Sequence, residues 1–221
     1  MKLSDNTLSL LKNFSTINTS ILFKKGNKLK TISVMKNILA EATIAEELPK
    51  DFGIYDLGQF LNGMGLHQSP ELDFRNDGHV VIKEGKMRSK YFFADPNVII
   101  TPPEKVIELP SEDVSFELST DQLDKLLKAA AIYQLPDLSV VGGEGVVKVL
   151  VRDKKNDTSN SFSIIVGDTE SEFSFNFKVE NIKILPGTYD VVVSQKLLSR
   201  FTAKNYDLTY YIALEPDSTF G

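Results

Sequence analysis

Residues 3–17, LSDNTLSLLKNFSTI, and residues 118–132, LSTDQLDKLLKAAAI, repeat one pattern about half a chain apart. In both segments Leu-Ser is followed by apolar residues at matching offsets: Leu8, Leu11 and Ile17, then Leu123, Leu126 and Ile132. Apolar residues at every third or fourth position are typical of an amphipathic helix. Ser119 and Gln122 fit a capping box, and Ser4 fits an N-cap, so both segments are predicted to be helices.

A second pair of segments supports the repeat. Leu48-Pro49 and Leu185-Pro186 each lead into a short apolar strand, and each strand runs into a segment with helical spacing. Asp56 is predicted to cap the first of these helices, which extends to about Met64. Ser194 is predicted to cap the other, which extends to about residue 205. The sequence therefore predicts two similar halves with two helices each.

The remaining segments are typical of strands and turns. Asn76-Asp77-Gly78 and the glycine-rich run 142–145 are hairpin signals, and apolar runs flank them. Residues 96–113 contain Pro102, Pro103 and Pro110, which favour an extended connector over a helix or a central strand. We therefore predict an α+β fold with antiparallel sheets, divided into domains at 1–108 and 112–221.

The composition excludes several classes of protein. The chain has 221 residues, no cysteine, 25 basic and 30 acidic residues, and a net charge of −5. Absence of cysteine excludes disulfides, thiolate zinc sites and a cysteine nucleophile. No apolar run approaches the roughly 20 residues of a membrane-spanning helix. The first residues form no signal-peptide core. We expect a cytoplasmic protein that makes no membrane contact.

Basic residues are concentrated on the predicted helices, although the chain is acidic overall. Three of the four predicted helices place cations on the face opposite their apolar residues, while most acids lie in turns and strands. These candidate DNA-facing residues are Lys12, Lys125, Lys128, Lys196, Arg200 and Lys204. Such a face attracts phosphates, and no zinc-finger spacing or helix-turn-helix pattern accompanies it. Attraction to the DNA backbone without base readout suits a protein that slides.

An enzyme and a structural module are the two alternative classes of function. An enzyme is disfavoured because the two histidines, His67 and His79, have no metal-ligand spacing and are expected to be ordinary surface residues. The acidic turn 168–172 lacks calcium-loop spacing, and no nucleophile or phosphate-loop motif is present. We therefore expect no catalytic residue, no metal and no cofactor. A structural virion module remains the alternative, and the basic helix faces argue against it.

Short motifs along the whole chain are similar to those of the sliding clamps of T-even-type bacteriophages. They include residues 1–4, 10–14 and 16–18 near the start, and 54–57, 94–96 and 186–187 further on. The final segment 213–219, ALEPDST, belongs to the same set. The resemblance implies a DNA clamp fold in which three two-domain subunits close into a ring around duplex DNA.

The resemblance also implies partners and a location. A clamp loader opens the ring with ATP, which the clamp does not hydrolyse, and the polymerase binds through its C-terminal peptide. In these phages the clamp also serves late transcription, which implies late-transcription factors as further partners. The implied location is the cytoplasm of the infected bacterial host.

Two surfaces are predicted to carry protein contacts. Strand edges at 88–93 of one subunit and 172–178 of the next are predicted to pair in a homotrimer, because their flanking charges are opposite. Related clamps build their peptide pocket between the connector and the chain end. The expected pocket residues are Val98, Ile100, Val106, Ile107, Ile212, Ala213, Leu214 and Pro216. The alternative is that these residues only pin the connector to the sheets.

Overall fold

The computed structural model describes all residues from 1 to 221. The chain divides into two compact units, Met1–Glu104 and Lys105–Gly221. The division lies within the proline-containing segment predicted as the connector, where the only regular element is a single 3-10 turn at Pro96–Val98. Each unit combines antiparallel sheets with helix, and the α+β prediction is confirmed.

Three α-helices form where the sequence supplies a cap and an apolar stripe. They are α1 at Asp5–Ile17, α2 at Leu57–Met64 and α3 at Thr120–Tyr133. The side chains of Ser4 and Asp56 accept backbone N–H groups of their first turns, and Ser119 forms the predicted capping box with Gln122. These bonds satisfy N–H groups that a helix start otherwise leaves without partners. None of the helices is long and apolar enough to cross a membrane.

Unit 1 contains seven strands in small antiparallel groups. Strand β1 pairs with β4, β2 with β3, and β6 lies between β5 and β7. Their bounds are β1 Ile21–Phe23, β2 Gly26–Ile32, β3 Ile38–Leu48, β4 Phe52–Ile54, β5 Glu71–Asp73, β6 His79–Glu84 and β7 Met87–Phe92. The buried faces of α1 and α2 supply much of the core, including Leu11, Phe14 and Phe60.

Unit 2 contains nine strands in two groups. One group has the order β8-β13-β14-β15 and the other β11-β10-β9-β12-β16. Their bounds are β8 Val114–Leu118, β9 Asp137–Gly143, β10 Val146–Arg152, β11 Phe162–Asp168, β12 Phe173–Lys178, β13 Tyr189–Ser194, β14 Leu198–Ala203, β15 Leu208–Ala213 and β16 Thr219–Phe220. The predicted hairpin turn joins β9 to β10, with Glu144 and Gly145 both at positive φ (55° and 83°). Two positive φ values in a two-residue turn match the twist of the flanking strands.

The predicted fourth helix, at 194–205, is wrong. This segment is the hairpin turn after β13 followed by strand β14. Leu197 adopts a φ of 65°, and Asp113 accepts the backbone N–H of Gln195, so the chain reverses where the helix was predicted to begin. Strand β14 pairs with β13 on one side and β15 on the other, burying Phe201. Tertiary pairing therefore overrides a local spacing that fits both a helix and a strand.

Candidate functional site

The exposed faces of α1 and α3 carry the cations that the sequence placed there. Lys12, Lys125 and Lys128 are exposed, and the apolar residues of both helices face inward. The amine Nζ of Lys125 lies 2.7 Å from Asp121, and that of Lys128 lies 2.6 Å from Asp124. The hydrogen bond from Lys128 to Asp124 raises the pKa of the lysine, which stays charged at neutral pH. Ion pairs between exposed side chains are weak, so a phosphate competes readily for either lysine.

The other three predicted DNA-facing cations do not share a helix face. Lys196 lies in the turn between β13 and β14, Arg200 lies on β14, and Lys204 follows that strand. Arg200 lies 2.9 Å from Glu112, and Lys204 bonds Glu117 and lies 3.2 Å from Asp190. The bonds to Glu117 and Asp190 raise the pKa of Lys204. The helical stripe on which their assignment depended is absent, because the segment is a strand.

Several strands lie at sheet edges, and two of these edge strands expose large apolar side chains. Strand β7 is one edge of the β5-β6-β7 group in unit 1, and β11 is one edge of the larger group in unit 2. Phe92 on β7 is 70% exposed and Ile165 on β11 is 60% exposed. Exposed apolar side chains on an unpaired edge are typical of a surface that another chain covers.

The predicted edge at 172–178 is not free, so that half of the interface prediction is wrong. Strand β12 pairs with β9 along its length and with β16 at Phe173 and Ser174. Beyond β16, the backbone N–H of Asn176 donates to Ser218 Oγ at 2.9 Å, and its carbonyl accepts from Glu215 at 2.7 Å. The sequence could not reveal this, because the final strand has only two residues.

The first half of the connector is anchored to unit 1 through a glycine. Gly53 accepts the backbone N–H of Ala94 at 2.9 Å, and the buried side chain of Ile99 packs against the same position. A Cβ on Gly53 would lie 2.8 Å from Ala94 O and 2.6 Å from Ile99 Cδ1. Val98 and Ile100, on either side of Ile99, remain exposed. This anchoring presents the two predicted pocket residues of unit 1 to solvent.

Replacing Gly53 with alanine should destabilise unit 1 and loosen the connector. The added methyl group meets a backbone carbonyl that cannot rotate away, and overpacking of this kind costs about 1–3 kcal/mol. Urea unfolding measures the loss, and limited proteolysis near residue 100 reports the loosening. Gly143→Ala is the matched control, since nothing lies within 4 Å of its Cβ position. Equal stability of the two variants would contradict this account.

The pocket residues predicted in unit 2 divide into exposed and buried side chains. Val106 is 79% exposed and Pro216 is also exposed, while Ala213 is half-buried. Ile107 is half-buried, and its carbonyl accepts the Tyr211 hydroxyl at 3.0 Å. This bond attaches the backbone of the connector at Ile107 to β15. Ile212 is 0% exposed and Leu214 is 6% exposed, so both belong to the hydrophobic core and not to an open pocket.

Ion pairing holds the last residues of the chain against unit 2. Lys154 Nζ lies 2.8 Å from the carboxylate of Asp217, and Asn176 donates to the same carboxylate at 3.4 Å. The hydrogen bond from Lys154 keeps the pKa of Asp217 below its ordinary value. The segment that follows β15 is therefore fixed in place by charge as well as by the β12–β16 pairing.

The attachment of this segment should weaken in acid. A depressed carboxyl pKa stabilises the fold above the unfolded-state value of about 3.9, and the contribution is lost as the pH falls through the folded-state value. Because Asp217 is half exposed, Asp217→Asn should cost less than about 1 kcal/mol at pH 7. Urea unfolding at a series of pH values should show the two proteins converging as the pH falls through the depressed pKa of Asp217. A constant difference at every pH would refute the assignment.

Two exposed features of unit 1 were not predicted from the sequence. The tip of the β2–β3 hairpin exposes Val34 and Met35. Lys24, Lys28 and Lys30 gather beside the start of the connector. Alternation along β2 places Lys28 and Lys30 on one face, which the pattern of the strand could have indicated.

The expectation of two surface histidines holds for one of them. His79 is half-buried on β6, but His67 is buried, with Nε2 3.4 Å from Ser89 Oγ and Nδ1 without a hydrogen bond. No group of three or more His, Cys, Asp or Glu side chains is arranged to hold a metal ion.

Comparisons of the sequence identify relatives along both units. Residues 3–101 match the family described as DNA polymerase processivity factor, and residues 115–216 match the C-terminal domain of the gp45 sliding clamp. The sliding clamp of Vibrio phage KVP40 is 32% identical, covering 97% of this chain and 99% of the relative. The sliding clamp of Enterobacteria phage T4 is 31% identical, covering 99% of each chain.

Solved structures show the same fold at much lower identity. A. fulgidus PCNA bound to the C-terminal region of FEN-1 has a TM-score of 0.72 at 12% identity, covering 99% of this chain and 98% of that one. PCNA from Thermococcus kodakaraensis has a TM-score of 0.71 at 13% identity, covering 95% and 96%. The prediction of a DNA clamp fold is confirmed. With relatives matched over nearly its whole length, this chain belongs to the family of phage sliding clamps, the DNA polymerase processivity factors.

Proposed function

We propose that this clamp encircles duplex DNA with the exposed faces of α1 and α3 toward the phosphate backbone, and that it catalyses no reaction. The observation that carries the proposal is that both helices expose lysines while the chain as a whole is acidic. Exposed lysines on an otherwise acidic protein direct DNA to one surface. Contact with phosphates alone lets the clamp slide without regard to sequence.

The subunits form a homotrimer in which β7 of one copy pairs with β11 of the next. Both strands are free edges, and Met87, Phe92 and Ile165 expose apolar surface there. A head-to-tail contact between two different edges repeats around a ring and leaves neither of these two edges unpaired once the ring closes. This pairing replaces the predicted use of residues 172–178.

The partners are those of a replication clamp in the cytoplasm of an infected bacterium. The C-terminal peptide of the replicative polymerase binds exposed apolar residues of the connector, with Val98, Ile100 and Val106 as its anchors. An ATP-driven clamp loader opens the ring, and late-transcription factors use the same clamp. The exposure of these three side chains supports the polymerase site.

A processivity assay on circular and linear templates tests the proposed function. A topologically closed clamp remains on a circle and leaves a linear duplex through its ends. With the cognate loader and polymerase, we expect long products on the circle and rapid loss of processivity on the linear template. Equal retention on both templates would indicate a protein that binds DNA without encircling it. That result would favour the alternative of a structural virion module.

A further inference from the structure

Two carboxylates share the face of α3 that carries the lysines proposed to contact DNA. The charged residues of this face follow one another at intervals of three and four positions, and they are Asp121, Asp124, Lys125 and Lys128. Residues at these intervals form one stripe along a helix. The buried residues of α3, among them Leu126 and Ala130, lie on the opposite face. The acids therefore lie where the phosphates of a duplex would approach, although like charges repel.

Each of these carboxylates holds one lysine of the stripe. The distances from carboxylate oxygen to amine Nζ are 2.7 Å for Asp121 with Lys125 and 2.6 Å for Asp124 with Lys128. All four side chains are more than half exposed, so neither pair is shielded from solvent or from an approaching phosphate. Lys12 on α1 makes no such ion pair. A lysine of α3 must therefore leave a carboxylate before it can contact DNA, whereas Lys12 need not.

Helix formation alone does not account for both acids. Asp121 lies in the first turn of α3, where the helix dipole favours a negative charge. Asp124 lies beyond that turn, and the influence of the dipole falls off within the first turn. The capping box of Ser119 and Gln122 already satisfies N–H groups at the helix start. The position of Asp124 is therefore better explained by its lysine partner than by the helix terminus.

We propose that the two carboxylates of α3 compete with DNA phosphates for the neighbouring lysines, so that each contact is brief and the loaded clamp slides with little friction. A lysine that leaves one phosphate returns to its carboxylate, so part of the lost attraction is recovered before the next phosphate arrives. An unpaired lysine would recover nothing between phosphates, and its contacts would oppose movement more strongly. The inference rests on the proposed function, because it requires α3 to face the duplex.

Tracking of single loaded clamps on stretched duplex DNA with blocked ends tests the proposal. Asp121→Asn combined with Asp124→Asn should slow one-dimensional diffusion at least about threefold, because an exposed ion pair that no longer competes changes an equilibrium by up to several-fold. The difference from the wild type should shrink as salt screens the charges. Glu144→Gln combined with Asp157→Asn is the matched control and should diffuse like the wild type. Both acids are exposed outside α3, and Glu144 pairs with Lys148 at 2.9 Å with the same spacing.

A double-mutant cycle separates competition for the lysines from direct repulsion of DNA. In a protein that already carries Lys125→Gln and Lys128→Gln, removing the two acids should change diffusion much less, because no lysine is left for them to hold. An equal effect with and without the lysines would overturn the proposal.

The remaining measurements protect the conclusion from changes in folding and from failure of encirclement. Thermal unfolding verifies that the variants are folded, and Asp124→Asn alone, which leaves the first turn intact, should slow diffusion in the same direction but less. Diffusion of the double aspartate variant at the rate of its matched control would also reject the competition. Retention on circular DNA and loss after linearisation test the proposed function separately, since a clamp can encircle DNA whether or not these acids compete.

Discussion

Replacing Lys12, Lys125 and Lys128 together with glutamine should strongly reduce retention of the loaded clamp on circular DNA. On α3 the four charged residues Asp121, Asp124, Lys125 and Lys128 sum to zero, and losing both lysines leaves a charge of −2. The surface then repels the phosphates that it was proposed to contact. Each lost phosphate contact should lower the magnitude of the slope of log affinity against log salt concentration by about 0.9. Because three contacts are lost, retention should fall by roughly tenfold or more at physiological ionic strength.

The matched control removes the same number of positive charges from a different part of the surface. Lys196, Arg200 and Lys204, replaced together with glutamine, also remove three positive charges per subunit. These three cations lie outside the two helix faces that are proposed to contact DNA, so their loss should weaken DNA retention much less. Retention times on nicked circular DNA, measured at several salt concentrations, compare the two triple variants. A larger loss in the hairpin variant would restore the original assignment of those cations and reject the helix faces.

The contrast between α3 and the 194–205 segment shows what the sequence could predict. In α3, the capping box and four turns of apolar spacing agree, and the helix forms as predicted. In 194–205, Leu197, Leu198 and Phe201 fit a helix, while Ser199, Phe201 and Ala203 equally fit one face of a strand. Only pairing with β13 and β15 decides between them, and both neighbours are defined by the fold as a whole.

The candidate surfaces also differ in whether local sequence alone can predict them. The lysines of α1 and α3 follow from helix periodicity, which is local information. The free edge at β11 and the covered edge at β12 depend on which strands become neighbours, and a two-residue strand at the chain end decides the second case. Burial of Ile212 and Leu214 is likewise a property of the assembled core, although their apolar character made them reasonable pocket candidates.

Replacing Ile165 with lysine should dissociate the ring and abolish processive synthesis. Ile165 is exposed on the β11 edge, so the fold of the isolated subunit should change by no more than about 0.5 kcal/mol. In the proposed ring the lysine would face β7 of the next subunit, whose exposed side chains include Arg88 and Lys90. An unpaired charge at a subunit interface costs several kcal/mol, and here like charges add repulsion.

The sign of the substituted charge gives the sharper test of which edges meet. Ile165→Asp introduces the same desolvation cost but can pair with Arg88 or Lys90, so it should weaken the trimer less than Ile165→Lys. Val34→Asp is the control, because Val34 is equally exposed at the tip of the β2–β3 hairpin and belongs to neither edge strand. Sedimentation at micromolar concentration should show a trimer for the wild type and Val34→Asp, a mixture for Ile165→Asp and monomer for Ile165→Lys. If the lysine variant remained as trimeric as the wild type, β11 could not be the edge that closes the ring.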